Sequence, residues 1–85
     1  MDGHTLTGNF SQIIGTEGLN SVTVADLKWL QGAEFIRGGP DLILSGKDGI
    51  KILLEDYFLQ PEGLDLVATN GGVFDAALVS RLAGP

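Results

Sequence analysis

The stretch from Asp41 to Glu55 constrains this chain more than any other. Asp41-Leu42-Ile43-Leu44-Ser45 and Ile50-Lys51-Ile52-Leu53-Leu54-Glu55 are aliphatic runs separated by Gly46-Lys47-Asp48-Gly49. Lys47 and Asp48 suit the centre of a type I turn. Gly49 suits the left-handed position after it, where a side chain is strained. Along the second run Ile50, Ile52 and Leu54 share one face, and Lys51, Leu53 and Glu55 share the other. That alternation predicts a half-buried antiparallel strand. Leu42 and Leu44 supply the matching pair across the hairpin, and Tyr57 and Phe58 close it with aromatic bulk.

A second hairpin is expected at about 64–74. Leu64, Leu66 and Ala68 alternate onto one face, Asn70-Gly71-Gly72 is a tight-turn signal, and Val73-Phe74 is a short return strand. Asp75 is placed to cap a helix over 76–83, with Leu78 and Leu82 at i, i+4 and a stop at Gly84-Pro85. Upstream, Ser21 to Val24 is β-prone and runs into a short helix at about 24–31. Thr23 and Asp26 resemble a capping box, Leu27 and Leu30 lie at i, i+3, and Gly32 suits a left-handed end. Trp29 falls off the Leu27/Leu30 line. Arg37-Gly38-Gly39-Pro40 lacks the Lys-Ser/Thr of a phosphate-binding loop and reads as a turn into the Asp41 strand, with Pro40 holding Gly39 extended. Phe10, Ile13 and Ile14 have the spacing of one helical turn among Gly8, Gly15 and Gly18. Residues 1–20 are therefore expected as a flexible N-terminal arm, and 21–85 as one small globular domain. The fold class expected is α+β, mainly β.

Length and composition remove several function classes. The chain has 85 residues, which allow one domain, and no cysteine, which excludes disulfides and thiolate metal sites. Its single histidine, His4, has only Gly3 and Thr5 beside it to position it, so neither a Ser/His/Asp arrangement nor a histidine-rich metal site is expected. The carboxylate pairs Glu55/Asp56 and Glu62/Asp65 read as a solvated rim, because glycosidase chemistry needs two facing carboxylates across a cleft. Lys47-Asp48-Gly49 with Glu55 lacks the alternating acids of a calcium loop. Asp41, Asp48 and Asp56 remain the positions for a weak surface calcium site. Trp29, Phe35, Tyr57, Phe58 and Phe74 read as core bulk rather than a stacking platform. No catalytic, cofactor-binding or metal residue is assigned, and no cofactor is expected.

The net charge is −6, and Lys28, Arg37, Lys47, Lys51 and Arg81 are scattered singly. Nucleic acid and anionic lipid are disfavoured as partners, since both require clustered cations to release counterions. No run approaches the length of a membrane span, and Met1 to Gly8 has neither the basic nor the apolar region of a secretory signal. The expected partner is a protein or the rest of a longer parent chain. The candidate docking feature is an unpaired strand edge on the first hairpin, carrying Leu42, Leu44, Ile50, Ile52 and Tyr57.

From Asp26-Leu27 through Gly38-Gly39-Pro40-Asp41-Leu42-Ile43-Leu44 and Asp48-Gly49 to Ile50–Leu54 and Tyr57-Phe58, the chain resembles a known family. It is similar to the biofilm-adhesin prefix-like domain at the N-terminus of giant repeat-containing bacterial surface proteins. The resemblance runs over residues 21–85. It implies a non-enzymatic structural or interaction module that helps cap its parent adhesin or retain it at the cell surface. It also implies export by type I secretion, and hence an extracellular or cell-surface location. The alternative is a free-standing cytoplasmic protein-binding domain. The length of the parent reading frame discriminates the two.

Overall fold

A computed structural model describes residues 10–61 and 63–84. In chain order the elements are β1 (Gln12–Gly15), β2 (Ser21–Thr23), α1 (Leu27–Gly32), β3 (Glu34–Gly38), β4 (Asp41–Ser45), β5 (Lys51–Glu55), a 3-10 turn (Tyr57–Leu59), β6 (Asp65–Val67), β7 (Val73–Phe74) and α2 (Ala76–Ala83). The strands form two mixed sheets, ordered β1-β5-β4-β3 and β2-β6-β7. This is an α+β, mainly-β fold, as expected, with both hairpins and both helices present.

The central hairpin forms for the reasons its sequence suggests. Leu44 pairs with Ile52 and Leu42 with Leu54, and all four side chains are buried. Gly49 has φ +88, the left-handed conformation the turn needs, and its amide donates to the Gly46 carbonyl at 3.1 Å. Ile50, expected to extend the strand inward, lies before β5 and is 41% exposed. In the second sheet Leu64, Leu66 and Ala68 all face inward, and Gly71 rather than Asn70 takes the positive φ, at +108. Leu30, Phe35, Tyr57, Phe74 and Val79 complete the core, with the Phe35 and Phe74 rings stacked 5.8 Å apart.

The ends of the helices follow simple chemistry. The Asp75 carboxylate accepts from the Leu78 amide at 2.9 Å, as its position predicts for an N-cap. In α1, Asp26 is itself the cap, accepting from the Trp29 amide at 2.7 Å, and the Asn70 side chain accepts from the Leu27 amide at 3.0 Å. The Thr23/Asp26 capping box is therefore not formed. Nor does Gly32 end the helix in a left-handed turn, because the chain leaves through Ala33 in an extended conformation straight into β3.

Two upstream expectations are corrected. Residues 10–20 are no arm: β1 lies parallel to β5, with Ile13 opposite Leu53 and Ile14 opposite Leu54. Ile13 and Ile14 thus belong to a strand, not a helical turn, and Phe10 lies before it. The rest of the expected arm, residues 1–9, lies outside the described residues. Glu34 to Gly38 is also a strand, β3, so Gly39-Pro40 is the tip of a further hairpin. Gly39 has φ +65 there and is not extended.

Candidate interaction surface

Pairing register decides which side chains share a face. In a strand successive residues point to opposite sides, and paired residues point to the same side. On the inner face of the four-stranded sheet lie Ile14, Leu54, Leu42, Leu44, Ile52 and Phe35. Arg37 also lies on this side. Its guanidinium sits 3.8 Å over the Phe58 ring, and its Nε donates to the Gly84 carbonyl at 3.0 Å.

The outer face carries a row of its own. Ile13 is opposite Leu53, Leu53 opposite Ile43, and Ile43 opposite Ile36, so four aliphatic side chains cross all four strands side by side. Ile13 is 43% exposed and the other three are half-buried. Among the described residues, none of the four belongs to the core cluster or to the partly buried apolar side chains packed against it. Charged and small polar residues and two glycines border the row. Toward the C-terminal end of β5 lie Gly15, Glu55, Asp41 and Gly38, and toward its N-terminal end lie Ser11, Lys51, Ser45 and Glu34. The outer face is thus an apolar stripe bordered by charged and small polar residues and glycines. Gly38 serves the row directly, since a Cβ there would stand 3.1 Å from Ile43 Cδ1.

The residues expected to form a docking edge are placed elsewhere. β4 is paired with β3 and β5, and β5 with β4 and β1, so neither strand of the central hairpin has a free edge. Leu42, Leu44, Ile52 and Tyr57 are buried in the core, and Ile50 is exposed beside the turn. The outer strands of this sheet are β1 and β3. The residues passed over are Ile43 and Leu53. Their signal lay in the uninterrupted runs Leu42-Ile43-Leu44 and Ile52-Leu53-Leu54, which are apolar on both faces of the strand.

Two of the three acidic residues weighed for calcium, Asp41 and Asp48, serve as structural acceptors. Asp41 Oδ1 accepts from the Asp56 amide at 2.7 Å, where Asp56 holds a left-handed φ of +60. The Asp48 carboxylate accepts from the Ile50 amide at 3.1 Å and from Trp29 Nε1 at 3.1 and 3.2 Å. Among the described residues no group of three acidic or histidine side chains converges as a metal site. Trp29 thereby lies flat across the hairpin turn, against Gly46, leaving a hollow of about 190 Å³ bordered by Lys28, Gly32 and Lys47. The Tyr57 hydroxyl donates to the Leu64 carbonyl. Burial first, then the charges of Asp65 and Asp75, push its pKa up to about 12.

No described helix is long and apolar enough to cross a membrane. Comparison with known families, curated proteins and solved structures gives no match to this chain.

Proposed function

We propose that this chain is a non-enzymatic structural and interaction module at the N-terminus of a large secreted bacterial adhesin, where it helps cap the parent protein or hold it at the cell surface. The observation that carries the reading is the row Ile13-Leu53-Ile43-Ile36 on the outer face of the sheet. Single exposed aliphatic side chains are ordinary on a protein surface, but a contiguous row of four across a sheet is not. A domain that docks against protein gains the burial of each. The motif residues support the same reading, because they are spent on scaffold: Leu42, Leu44, Ile52 and Leu54 fill the core, Asp41 and Asp48 hold turns, and Tyr57 ties the 3-10 turn to Leu64. The surrounding adhesin is supplied by the resemblance over residues 21–85.

The test is made in the native host. The parent protein carrying Ile43→Thr and Leu53→Thr, or lacking residues 10–84, is assayed on cells and in the medium. Loss from cells to medium in both is the expected result. Unchanged surface levels in both would sink the retention reading.

A further inference from the structure

We infer that the occupant of the outer sheet face is a second copy of this chain, docked face to face about a two-fold axis. The inference rests on reading that face as an interaction surface. An interface of this kind must be complementary to itself. The two rims of the row differ in charge in a way that meets this demand. Glu55 and Asp41 lie on one side, Lys51 and Glu34 on the other.

Two axes lying in the interface plane can be compared. An axis along the strands keeps strand direction and reverses strand order, so β5 covers β4 of the second copy. Glu55 then faces the Asp41 of that copy, a like-charge contact, and Lys51 faces an uncharged Ser45. An axis across the strands reverses direction and keeps order. β5 then covers β5 antiparallel, with Leu53 over Leu53 at the axis and each Lys51 opposite the other copy's Glu55. Asp41 meets Ser45, and Glu34 meets Gly38. The second arrangement gives two opposite-charge pairs and no like-charge contact along the rim, and it stacks the aliphatic rows. Twist rotates the two sheets by about 30° at a separation of about 10 Å, which leaves the central pairs nearest each other.

Size sets the strength. Four strands about 4.8 Å apart and some 13 Å of strand length give roughly 250 Å² of face on each copy, well below a standard interface. The dimer is therefore weak and reversible, and it becomes populated where copies are crowded.

Sedimentation equilibrium of the 85-residue chain, from about 10 μM to about 1 mM, reads this directly. A monomer–dimer equilibrium is expected. Lys51→Glu and Glu55→Lys should each weaken it about tenfold, since each replaces two attractive contacts with two repulsive ones. The doubly exchanged Lys51→Glu/Glu55→Lys chain should recover the dimer. The two side chains lie four residues apart on one strand, too far to pair within a copy, so recovery reports contact between copies. A monomer at the highest concentration, or a dimer indifferent to all three changes, overturns the inference. Hydroxyl-radical labelling of the Ile43 and Leu53 side chains, read against the isolated chain at low concentration, then separates the two readings in the intact parent protein. Protection there with a monomeric chain refutes self-association and keeps the docking face, with the parent chain or another protein as occupant. Labelling there as strong as in the dilute isolated chain refutes both.

Discussion

Removing one hydroxyl from the core gives a sharp test of this structure. Tyr57 is 2% exposed and its hydroxyl donates to the carbonyl of Leu64, itself fully buried. Tyr57→Phe leaves that carbonyl without this donor, which costs about 1–3 kcal/mol at neutral pH. The same hydroxyl makes stability depend on alkali. Its pKa is raised from 10.0 to about 12 because burial and the nearby carboxylates disfavour the phenolate. A group whose folded pKa lies above its unfolded value binds its proton more tightly in the native state. Its contribution is complete below about pH 10 and is lost as pH rises through about 12. Two units at about 1.4 kcal/mol each give a loss on the order of 2–3 kcal/mol across that window. The advantage of the parent over Tyr57→Phe should thus shrink from about pH 10 and vanish near pH 11–12, because the variant has nothing there to titrate. The chain has one tyrosine and one tryptophan, so ultraviolet absorbance titrates Tyr57 alone and Trp29 fluorescence follows urea unfolding. A phenolate midpoint near 10 in the folded protein would refute the reasoning. So would a Phe variant as stable as its parent at neutral pH.

Three further substitutions test other contacts by urea denaturation. Gly46→Ala places a Cβ 2.5 Å from Trp29 Nε1, so the indole must move and its bond to Asp48 must break; a loss of about 1–2 kcal/mol with a shifted Trp29 emission is expected, and an unshifted spectrum contradicts it. Gly49→Val meets no neighbour within 4 Å, yet must hold φ near +88, so it should destabilise by more than about 1 kcal/mol through backbone strain alone; an unaltered midpoint rules that turn out. Thr16→Val removes a buried hydroxyl that donates to the Glu55 carbonyl at 2.7 Å and accepts from Gln60 Nε2 at 3.2 Å; about 1 kcal/mol should be lost, and no change would mean that this tie between β1 and the 57–60 segment is idle.

The legible parts of the fold were those encoded by neighbours in sequence. The Asp41–Glu55 hairpin announces itself through alternation and through Gly49, and Asp75 marks the start of α2 within one turn of the residue it caps. β1 was illegible for the opposite reason. Gln12 to Gly15 is held by a partner strand some forty residues downstream, and the spacing of Phe10, Ile13 and Ile14 mimics a helix until that partner is known. β3 was hidden because Gly38-Gly39-Pro40 reads as a loop, while Phe35 and Arg37 look too mixed to mark an inner face. Arg37 becomes tolerable there only when Phe58 and the Gly84 carbonyl arrive to meet it. The outer aliphatic row was missed for a related cause. Assigning Ile50, Ile52 and Leu54 to the core made Leu53 look like a member of a polar face, and only the register across β1, β5, β4 and β3 reveals that it has aliphatic neighbours on both sides. The hairpin edge first expected to dock disappeared when β1 and β3 took up those positions.

The parallel pairing of β1 with β5 has a mechanical meaning. In a hairpin, tension on the two open ends peels hydrogen bonds apart one after another. In a parallel pair, tension on the N-terminal end of one strand and the C-terminal end of the other slides the strands lengthwise, so all the bonds between them are loaded together. The chain enters β1 at Gln12 and leaves β5 at Glu55, and β2 with β6 repeats the geometry in the second sheet. Drag on a long polypeptide attached beyond α2 would unravel α2 and β7 first and then meet two shear clamps in series. Resistance to pulling would therefore sit in the earliest strands of the chain, beside whatever lies upstream of Phe10.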